Sequence, residues 1–162
     1  MFYSSAESRE KLRLRQYGWH MVQHAGDFDR RDWKVARSAR RFEPGSPNML
    51  GIHALNASLD LLEEVGMEQI ERQVLVNATH LIELVLDSDE LELITPSEEN
   101  RHAGIVTFRH RHADHAALFR HLTSHGVVCA FRGGGIRFSP HFYTTREKID
   151  RAVGQVRKFR GC

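Results

Sequence analysis

Residues 126–138, GVVCAFRGGGIRF, decide the fold of this chain. Two runs rich in β-branched and aromatic residues, 127–131 and 136–138, flank three glycines at 133–135. Such runs on either side of a glycine turn predict two strands joined in a hairpin. The glycines lack the order of a dinucleotide-binding loop and do not open a helix, so a turn is favoured over a phosphate cradle.

Outward from the hairpin, helices alternate with short strands. Apolar residues at helical spacing predict two helices between residues 50 and 88, with Gly66 ending the first. Strands follow at 91–94 and 105–108, and a helix at 114–124 is closed by Gly126. A last helix opens with the capping box Thr144-x-x-Glu147. The order predicts an α+β fold: a small, mostly antiparallel sheet covered on one face by helices.

The first 40 residues have a different character. They are polar and basic, with one short helix predicted at 6–14 and a loop at 18–41 that contains RDWKVARSARR at 31–41. A loop of this length is functional or packs against something outside it. The basic run suits an anionic ligand, an acidic partner surface or a solvated face. No recognised nucleic-acid-binding motif accompanies it, so nucleic acid is not an expected partner.

Composition indicates an ordinary soluble domain. The 162 residues are 41% hydrophobic and 27% charged, with a net charge of +2. No stretch approaches the ~20 apolar residues of a membrane helix, and the first residues lack the apolar core of a secretory signal. Two cysteines, Cys129 and Cys162, do not make a disulfide framework. A cytoplasmic location is expected.

The most informative segment is RFEPGSPN, residues 41–48. Its Gly-Ser-Pro turn offers backbone amides and the Ser46 hydroxyl just before a helix, where the helix dipole favours an anion such as phosphate. The alternative is structural: Ser46 or Asn48 caps the helix, with Pro47 in its first turn. The residues alone leave both interpretations open.

Arg137 is the second candidate. It lies inside an apolar strand, where a charge is costly unless it is paired. A guanidinium is the usual clamp for a carboxylate ligand. The alternative is a salt bridge to a local acid such as Asp150. Arg132, close by, fits either role.

The histidines and one cysteine are candidates for metal binding or reactivity. His110, His112 and His115 lie close together, and His112 and His115 could share a helix face as a metal-binding pair. No third ligand falls at a known spacing, so no metal site is expected. Cys129 lies in an apolar strand and is interpreted as an inert core thiol.

Together, Gly18-Trp19, RFEPGSPN and GVVCAFR…GIRFSPHFYTTREKIDRAV resemble the C-terminal half of class V aminotransferase-family enzymes. These are fold-type-I enzymes that use pyridoxal 5′-phosphate (PLP), including kynureninases, cysteine desulfurases and isopenicillin-N-epimerase-like proteins. The resemblance implies that Arg137 binds the substrate carboxylate. It implies that Ser46 reaches the PLP phosphate across a dimer, with Trp19 and Gly45 as candidate residues lining the active site.

The resemblance also implies what is missing. Residues 2–5, FYSS, look like the strand that follows the family's Schiff-base lysine, and the four lysines, Lys11, Lys34, Lys148 and Lys158, all lie outside that lysine's sequence context. Residues 1–45 then correspond to a remnant of the large domain and the interdomain loop, and residues 46–162 to the C-terminal small domain. No catalytic residue is assigned, and no PLP binding by this chain alone is expected.

Several functions remain open on this basis. The first is the C-terminal fragment of a PLP enzyme that acts on an amino acid, and the fragment is inactive alone. Its expected partner is a second copy of the chain or a separate large PLP-binding domain. The alternative is a stand-alone module for binding a small carboxylate or phosphate, or for dimerisation. The desulfurase members carry a nucleophilic cysteine on the loop that here spans residues 132–135, and this loop has none. Kynureninases are nearer in pattern but usually have an acid at the position of Ala130.

Overall fold

The computed structural model describes residues 2–98 and 100–161. They form two compact units, Met1–Leu59 and Asp60–Cys162. Cys162 itself lies outside the described residues. Within the described part, no helix is both long and apolar enough to cross a membrane.

The second unit is built on an antiparallel sheet. Its strands are β1 (Leu91–Leu93), β2 (Val106–His110), β3 (Ala130–Arg132) and β4 (Gly135–Phe138), in the order β1-β2-β4-β3. Every neighbouring pair is antiparallel. Helices α3 (Met67–Leu86), α4 (His115–Ser124) and α5 (Arg146–Lys158) pack on one face of the sheet. This confirms the predicted α+β fold.

The core lies between this sheet face and the three helices. Its residues are apolar and come from the helix stripes and from alternate strand positions, as burial of one face of a sheet requires. They are Ala78, Leu81, Ile82, Val85, Leu91, Val106, Phe108, Leu118, Leu122, Ile136, Phe138, Ile149, Val153 and Val156. Burial of these side chains is the main source of stability for the unit.

The glycine hairpin is confirmed. Gly133 and Gly134, with φ of 66° and 82°, form the two-residue turn that joins β3 to β4. Two successive positive φ values match the twist of a tight hairpin and favour glycine. Gly135 is needed for a different reason: a Cβ there would lie 2.2 Å from the carbonyl oxygen of Phe108, so β2 and β4 could not approach as they do.

The predicted start of β3 and the predicted start of α5 are wrong. The strand predicted at 127–131 begins only at Ala130, because the Val127 amide bonds back to the Leu122 carbonyl and closes α4 instead. Gly126, with φ of 75°, permits that closure. The predicted capping box is also wrong: Thr145, rather than Thr144, is the N-cap of α5, and its side chain makes no capping hydrogen bond.

The first unit contains α1 (Ala6–Lys11) and the first residues of α2 (Met49–Val65). Helix α1 is shorter than predicted, since Leu12 already has an extended backbone. Gly66, with φ of 87°, follows α2 as expected of a helix stop. Residues 2–5 are not a strand here.

The segment predicted as a plain loop has its own internal structure. It holds short 3-10 turns at Trp19–Met21 and Ala39–Phe42 and an isolated bridge between Val22 and Val35. Met21, Ala25 and Ala36 are its buried apolar residues. The segment is therefore a folded loop with a small core.

Candidate functional site

Arg137 occupies the middle of the sheet. It lies in β4 opposite Thr107 of β2 and Ala130 of β3. Its neighbours Ile136 and Phe138 point into the core, so alternation along the strand puts Arg137 on the face away from the helices. The side chain is half-buried. A fixed strand on both sides holds its backbone in place.

Some charged side chains on this face of the sheet form ion pairs, whereas Arg137 forms none with the residues that the structure describes. Glu92 of β1 lies opposite Arg109 of β2, and their side chains form a two-point ion pair with N–O distances of 2.6 and 3.0 Å. Hydrogen bonding by Arg109 holds the pKa of the Glu92 carboxyl below its usual range. Arg137 makes no ion pair within residues 2–98 and 100–161. Its guanidinium is thus a half-buried cation without an ion pair among the described residues, and the exposed Arg132 of β3 lies on the same face.

The local salt bridge considered as an alternative is not formed. Asp150 instead meets His80 of α3, with Nε2 and Oδ1 2.6 Å apart. Helix α5 turns Asp150 toward α3, on the helix side of the sheet, whereas Arg137 lies on the other side. The alternative in which Arg137 pairs with Asp150 is therefore wrong.

Around RFEPGSPN, Asn48 and Ser46 have different roles. The Asn48 side-chain oxygen accepts the Gly51 amide at 2.9 Å, and its carbonyl accepts the Ile52 amide, so Asn48 caps α2. Ser46 is exposed, and its hydroxyl has no hydrogen-bond partner in the described residues. The helix is capped without Ser46, which leaves that hydroxyl available to a ligand.

Gly18 and Trp19 lie against the same segment. The His20 amide donates to the Pro44 carbonyl at 3.3 Å. A Cβ on Gly18 would lie 1.9 Å from that same carbonyl oxygen, so only glycine permits the contact. Trp19 is 52% exposed and packs edge-on against His20. The structure therefore brings the two motifs of the first unit, the one with Trp19 and the one with Gly45, together.

Arginines hold this arrangement. Arg40 donates from Nε to the His20 carbonyl at 3.1 Å, and Arg41 lies 3.3 Å from the Glu10 carboxylate. Part of the basic run is thus used inside the unit. Trp19, Gly45 and Ser46 belong to the first unit and Arg137 to the second.

The candidate nucleophiles and metal ligands do not form a reactive or metal-binding site in the described residues. All four lysines are exposed. Burial raises the pKa of the Cys129 thiol, which keeps it protonated and unreactive, as expected for a thiol packed against the core. Within the described residues, no group of three histidines, cysteines or acids is placed to hold a metal ion.

The three clustered histidines have structural contacts instead. His110 is buried, and its Nδ1 lies 3.2 Å from the backbone amides of His112 and Ala113, from which it accepts. The His115 ring contacts the His110 carbonyl at 3.0 Å. Burial lowers the pKa of His110, against the opposing attraction of Glu90. These contacts order the turn before α4.

Sequence reasoning missed Asn77. It is 3% exposed, and its side-chain nitrogen donates to the carbonyls of His141 and Thr144 at 2.9 Å each. Those two bonds fix the segment that follows β4, the strand of Arg137, against α3. The available signal was a polar amide within the apolar stripe of a helix, since buried amides are normally hydrogen-bonded.

Comparisons with known proteins match most of the chain. The family model described as aminotransferase class-V matches residues 1–152. The uncharacterized aminotransferase YcbU of Bacillus subtilis is 30% identical over 125 residues, which make up 77% of this chain and 33% of that protein. Kynureninase of Deinococcus radiodurans is 32% identical over 146 residues, 86% of this chain and 34% of that protein.

A solved structure shares the fold. It is the complex of the cystine C–S lyase C-DES with its reaction product cysteine persulfide, with a TM-score of 0.86 and 18% identity. The match covers 99% of this chain and 42% of the lyase chain. This chain therefore spans about a third of the length of the curated relatives it matches.

Proposed function

Because this chain belongs to the aminotransferase class-V family, we propose that it is the C-terminal part of a PLP-dependent enzyme that acts on an amino acid. The named relatives support this: an aminotransferase, a kynureninase and a cystine C–S lyase. A variant of that lyase carries glycine covalently linked to a PLP cofactor. In such enzymes PLP supplies the electron sink that loosens bonds at the amino acid's α-carbon.

Residues of this chain fit two parts of a PLP site, the contact to the cofactor phosphate and the contact to the substrate carboxylate. Ser46 offers a hydroxyl just before the N-terminus of α2, a setting that favours a phosphate. Arg137 offers a guanidinium for a carboxylate. The lysine end does not fit, because each of the four lysines is exposed to water rather than enclosed in a site. We therefore propose no catalytic step through PLP by this chain alone.

The observation that carries the proposal is Arg137. A cation in the centre of a sheet, half-buried and without an ion pair in the described residues, carries a desolvation cost that no contact within the described chain offsets. Binding of a substrate carboxylate would offset it. In our proposal Arg137 orients the amino acid by a two-point hydrogen bond to its carboxylate.

A chimera tests this role. The N-terminal two-thirds of the Deinococcus radiodurans kynureninase would be joined to residues 2–161 of this chain, and kynurenine and cysteine cleavage measured. Losing a charge-assisted hydrogen bond costs roughly 1.5–3 kcal/mol, so Arg137→Gln should lower kcat/KM about 10- to 100-fold. The matched control is Arg120→Gln, an exposed arginine of α4 on the helix side of the sheet, which should change kcat/KM less than about twofold. Equal effects of the two substitutions would contradict the proposal.

Ser46 is tested through cofactor affinity. We expect Ser46→Ala to raise the PLP concentration needed for half-maximal activity of the chimera, and Ser46→Thr to restore it, because threonine keeps the hydroxyl. Ser38→Ala is the control, since it removes a hydroxyl elsewhere in the same unit. If Ser46→Ala left PLP affinity unchanged, the phosphate contact would be wrong.

Inactivity of the chain alone has its own test. The purified chain would be mixed with PLP, treated with borohydride and weighed by mass spectrometry. We expect no stoichiometric PLP adduct at a single lysine. A one-to-one adduct lost on one Lys→Arg substitution would show that the chain completes a cofactor site.

For the partner we propose a second copy of the chain. Helix α2 has no buried residue, and Leu50, Ile52, Leu55 and Leu61 on it are 42–83% exposed. Exposed apolar patches favour association. Light scattering should give a dimer mass, and Leu50→Glu with Ile52→Glu should give a monomer. A monomer before substitution would exclude the dimer.

A stand-alone binding module is the second candidate. The observation that favours it is the continuous core of the second unit. In that case calorimetry of the chain without any other domain would detect binding of an amino acid or PLP, and Arg137→Ala would abolish it. Heat of binding that is unchanged by Arg137→Ala, or absent, would count against this candidate.

A further inference from the structure

We propose that the second unit binds a small amphipathic anion, a carboxylate or phosphate carried on an apolar chain, in a pocket beside α5. The pocket has a volume of about 560 Å³. It is formed by the segment after α4, the exit of β4 and one face of α5. It involves neither Ser46 nor Arg137, so it stands apart from the function proposed above.

The pocket exists because two paired strands part. The ladder between β3 and β4 ends at the pair Ala130–Arg137, although the chain continues beyond both residues. On one side the Val127 amide is bonded to α4 rather than to a strand. On the other, Pro140 has no backbone N–H to offer to a ladder. Residues 126–128 and 138–140 line the pocket where these two segments separate.

The floor of the pocket is apolar. It includes Leu81 of α3, Phe138 of β4 and Ile149 of α5, which are 0–6% exposed. Val127 and Ala152, at its sides, also pack against the core. A short alkyl or aryl group would gain by leaving water here. The volume is within the ~300–1,000 Å³ that is usual for small-molecule sites.

The rim of the pocket is cationic. Lys148, Arg151 and Gln155 follow one another at i, i+3 and i+7 on α5, so they share one face of the helix. His125 lies at the rim as well, and no acid is among the lining residues in the described chain. The rim therefore offers hydrogen-bond donors and positive charge without a carboxylate to neutralise them.

The two acids of α5 are engaged elsewhere. Glu147 accepts a hydrogen bond from Thr145, and Asp150 is paired with His80. Lys148 and Arg151 have no ion pair within residues 2–98 and 100–161. A ligand with an anionic head and an apolar chain matches both the cationic rim and the apolar floor of this pocket. A neutral ligand matches only the floor, and a cationic ligand is repelled by the rim.

The test is a nuclear magnetic resonance titration of the isotope-labelled chain with octanoate, octyl phosphate and octan-1-ol. We expect saturable shifts of amide signals at the pocket with one or both anions. Stronger binding of octanoate or of octyl phosphate would identify the preferred head group. Binding of octan-1-ol as tight as that of the anions, or shifts spread over the exposed apolar surface of α2, would overturn the proposal.

A charge variant and a matched control decide the site. Each exposed ion pair to the anion is of modest strength, so both cations are removed together. Lys148→Gln with Arg151→Gln should weaken anion binding about fivefold or more and leave the binding of octan-1-ol unchanged. Arg146→Gln with Lys158→Gln removes the same charge from the same helix outside the pocket and should have little effect. Equal weakening by the two double variants would place the anion elsewhere. Ala152→Leu should fill the pocket and block binding. Lys148 and Arg151 are exposed, so their substitution should not unfold the chain, and the charge variants remain informative if Ala152→Leu does unfold it.

Discussion

The two units of this chain are held together in different ways. In the second unit, three helices and a four-stranded sheet bury a continuous apolar cluster. In the first, only Met21, Ala25 and Ala36 of residues 2–59 are buried apolar residues. Backbone and arginine hydrogen bonds connect the rest. The contrast teaches that periodic apolar patterns specify one unit, whereas single close contacts specify the other.

Both tryptophans, Trp19 and Trp33, belong to the first unit. Tryptophan fluorescence therefore reports on the first unit, and far-ultraviolet circular dichroism mainly on the helices of the second. Comparing the two signals during urea unfolding separates the stabilities of the two units. Each prediction below uses that separation.

The largest effect should come from the core of the second unit. Phe108 is fully buried and packs edge-to-face on Phe138, with ring centroids 5.2 Å apart. Phe108→Ala should cost about 3–5 kcal/mol through lost burial and the cavity left behind. Phe28, 84% exposed in the first unit, is the control, and Phe28→Ala should change stability by less than about 0.5 kcal/mol. Similar losses for the two variants would refute the contrast.

A polar contact in the same unit should matter next. Asn77→Ala leaves the carbonyls of His141 and Thr144 without their donor, a cost of about 2 kcal/mol. Gln73→Ala removes only the neighbouring Gln73–Asn77 bond and should cost less. The dichroism midpoint in urea measures both variants. If Gln73→Ala were as costly as Asn77→Ala, the two carbonyl bonds would not be the important ones.

The first unit should break at one glycine. Gly18→Ala would put a Cβ against the Pro44 carbonyl, and we expect a loss of about 1–2 kcal/mol. The loss should appear in tryptophan fluorescence, with the dichroism transition nearly unchanged. Gly26→Ala, where a Cβ would have open space, is the matched control. A shift of the dichroism transition equal to that of fluorescence would mean that the units unfold as one.

The smallest effect is a dependence on pH in the second unit. Burial lowers the pKa of His110 in the folded chain, so the unfolded chain binds that proton more strongly. The contribution to stability is complete above the ordinary histidine pKa of about 6.5 and is lost as the pH falls through the lowered folded value.

Urea unfolding by dichroism at about pH 7.5 and about pH 5.5, on either side of the histidine range, measures this effect. His110→Asn keeps an acceptor but no titrating ring, so it should reduce the loss of stability at the lower pH. His53→Asn, at an exposed position on α2, should leave the loss unchanged. A pH dependence unaltered by His110→Asn would assign the effect to other groups.

Much of the second unit could be predicted from the sequence. The hairpin followed from glycines between apolar runs, and the helices from apolar spacing, because these signals are local. The start of β3 could not be predicted, since Val127 is equally suited to a strand and is taken by the end of α4. Competition between two local structures is decided by the hydrogen bonds that each can complete.

The candidate site divides in the same way. An arginine inside an apolar strand marked Arg137, and the turn before a helix marked Ser46. The sequence could not tell whether Asp150 would pair with Arg137, because His80, 70 residues away along the chain, takes that carboxylate. Nor could it distinguish Ser46 from Asn48 as the cap of α2.

By itself, the sequence determined the order of helices and strands in the second unit, the glycine turn and the family to which the chain belongs. Periodicity and glycine positions carry that information, because they reflect which face of each element is buried and where the backbone must turn. Only the tertiary structure decided that Gly18 receives the Pro44 carbonyl and that Arg137 is left without Asp150. It also decided that the end of the β3–β4 ladder opens a cationic pocket. Those outcomes depend on contacts between residues far apart in the chain, which no local pattern records.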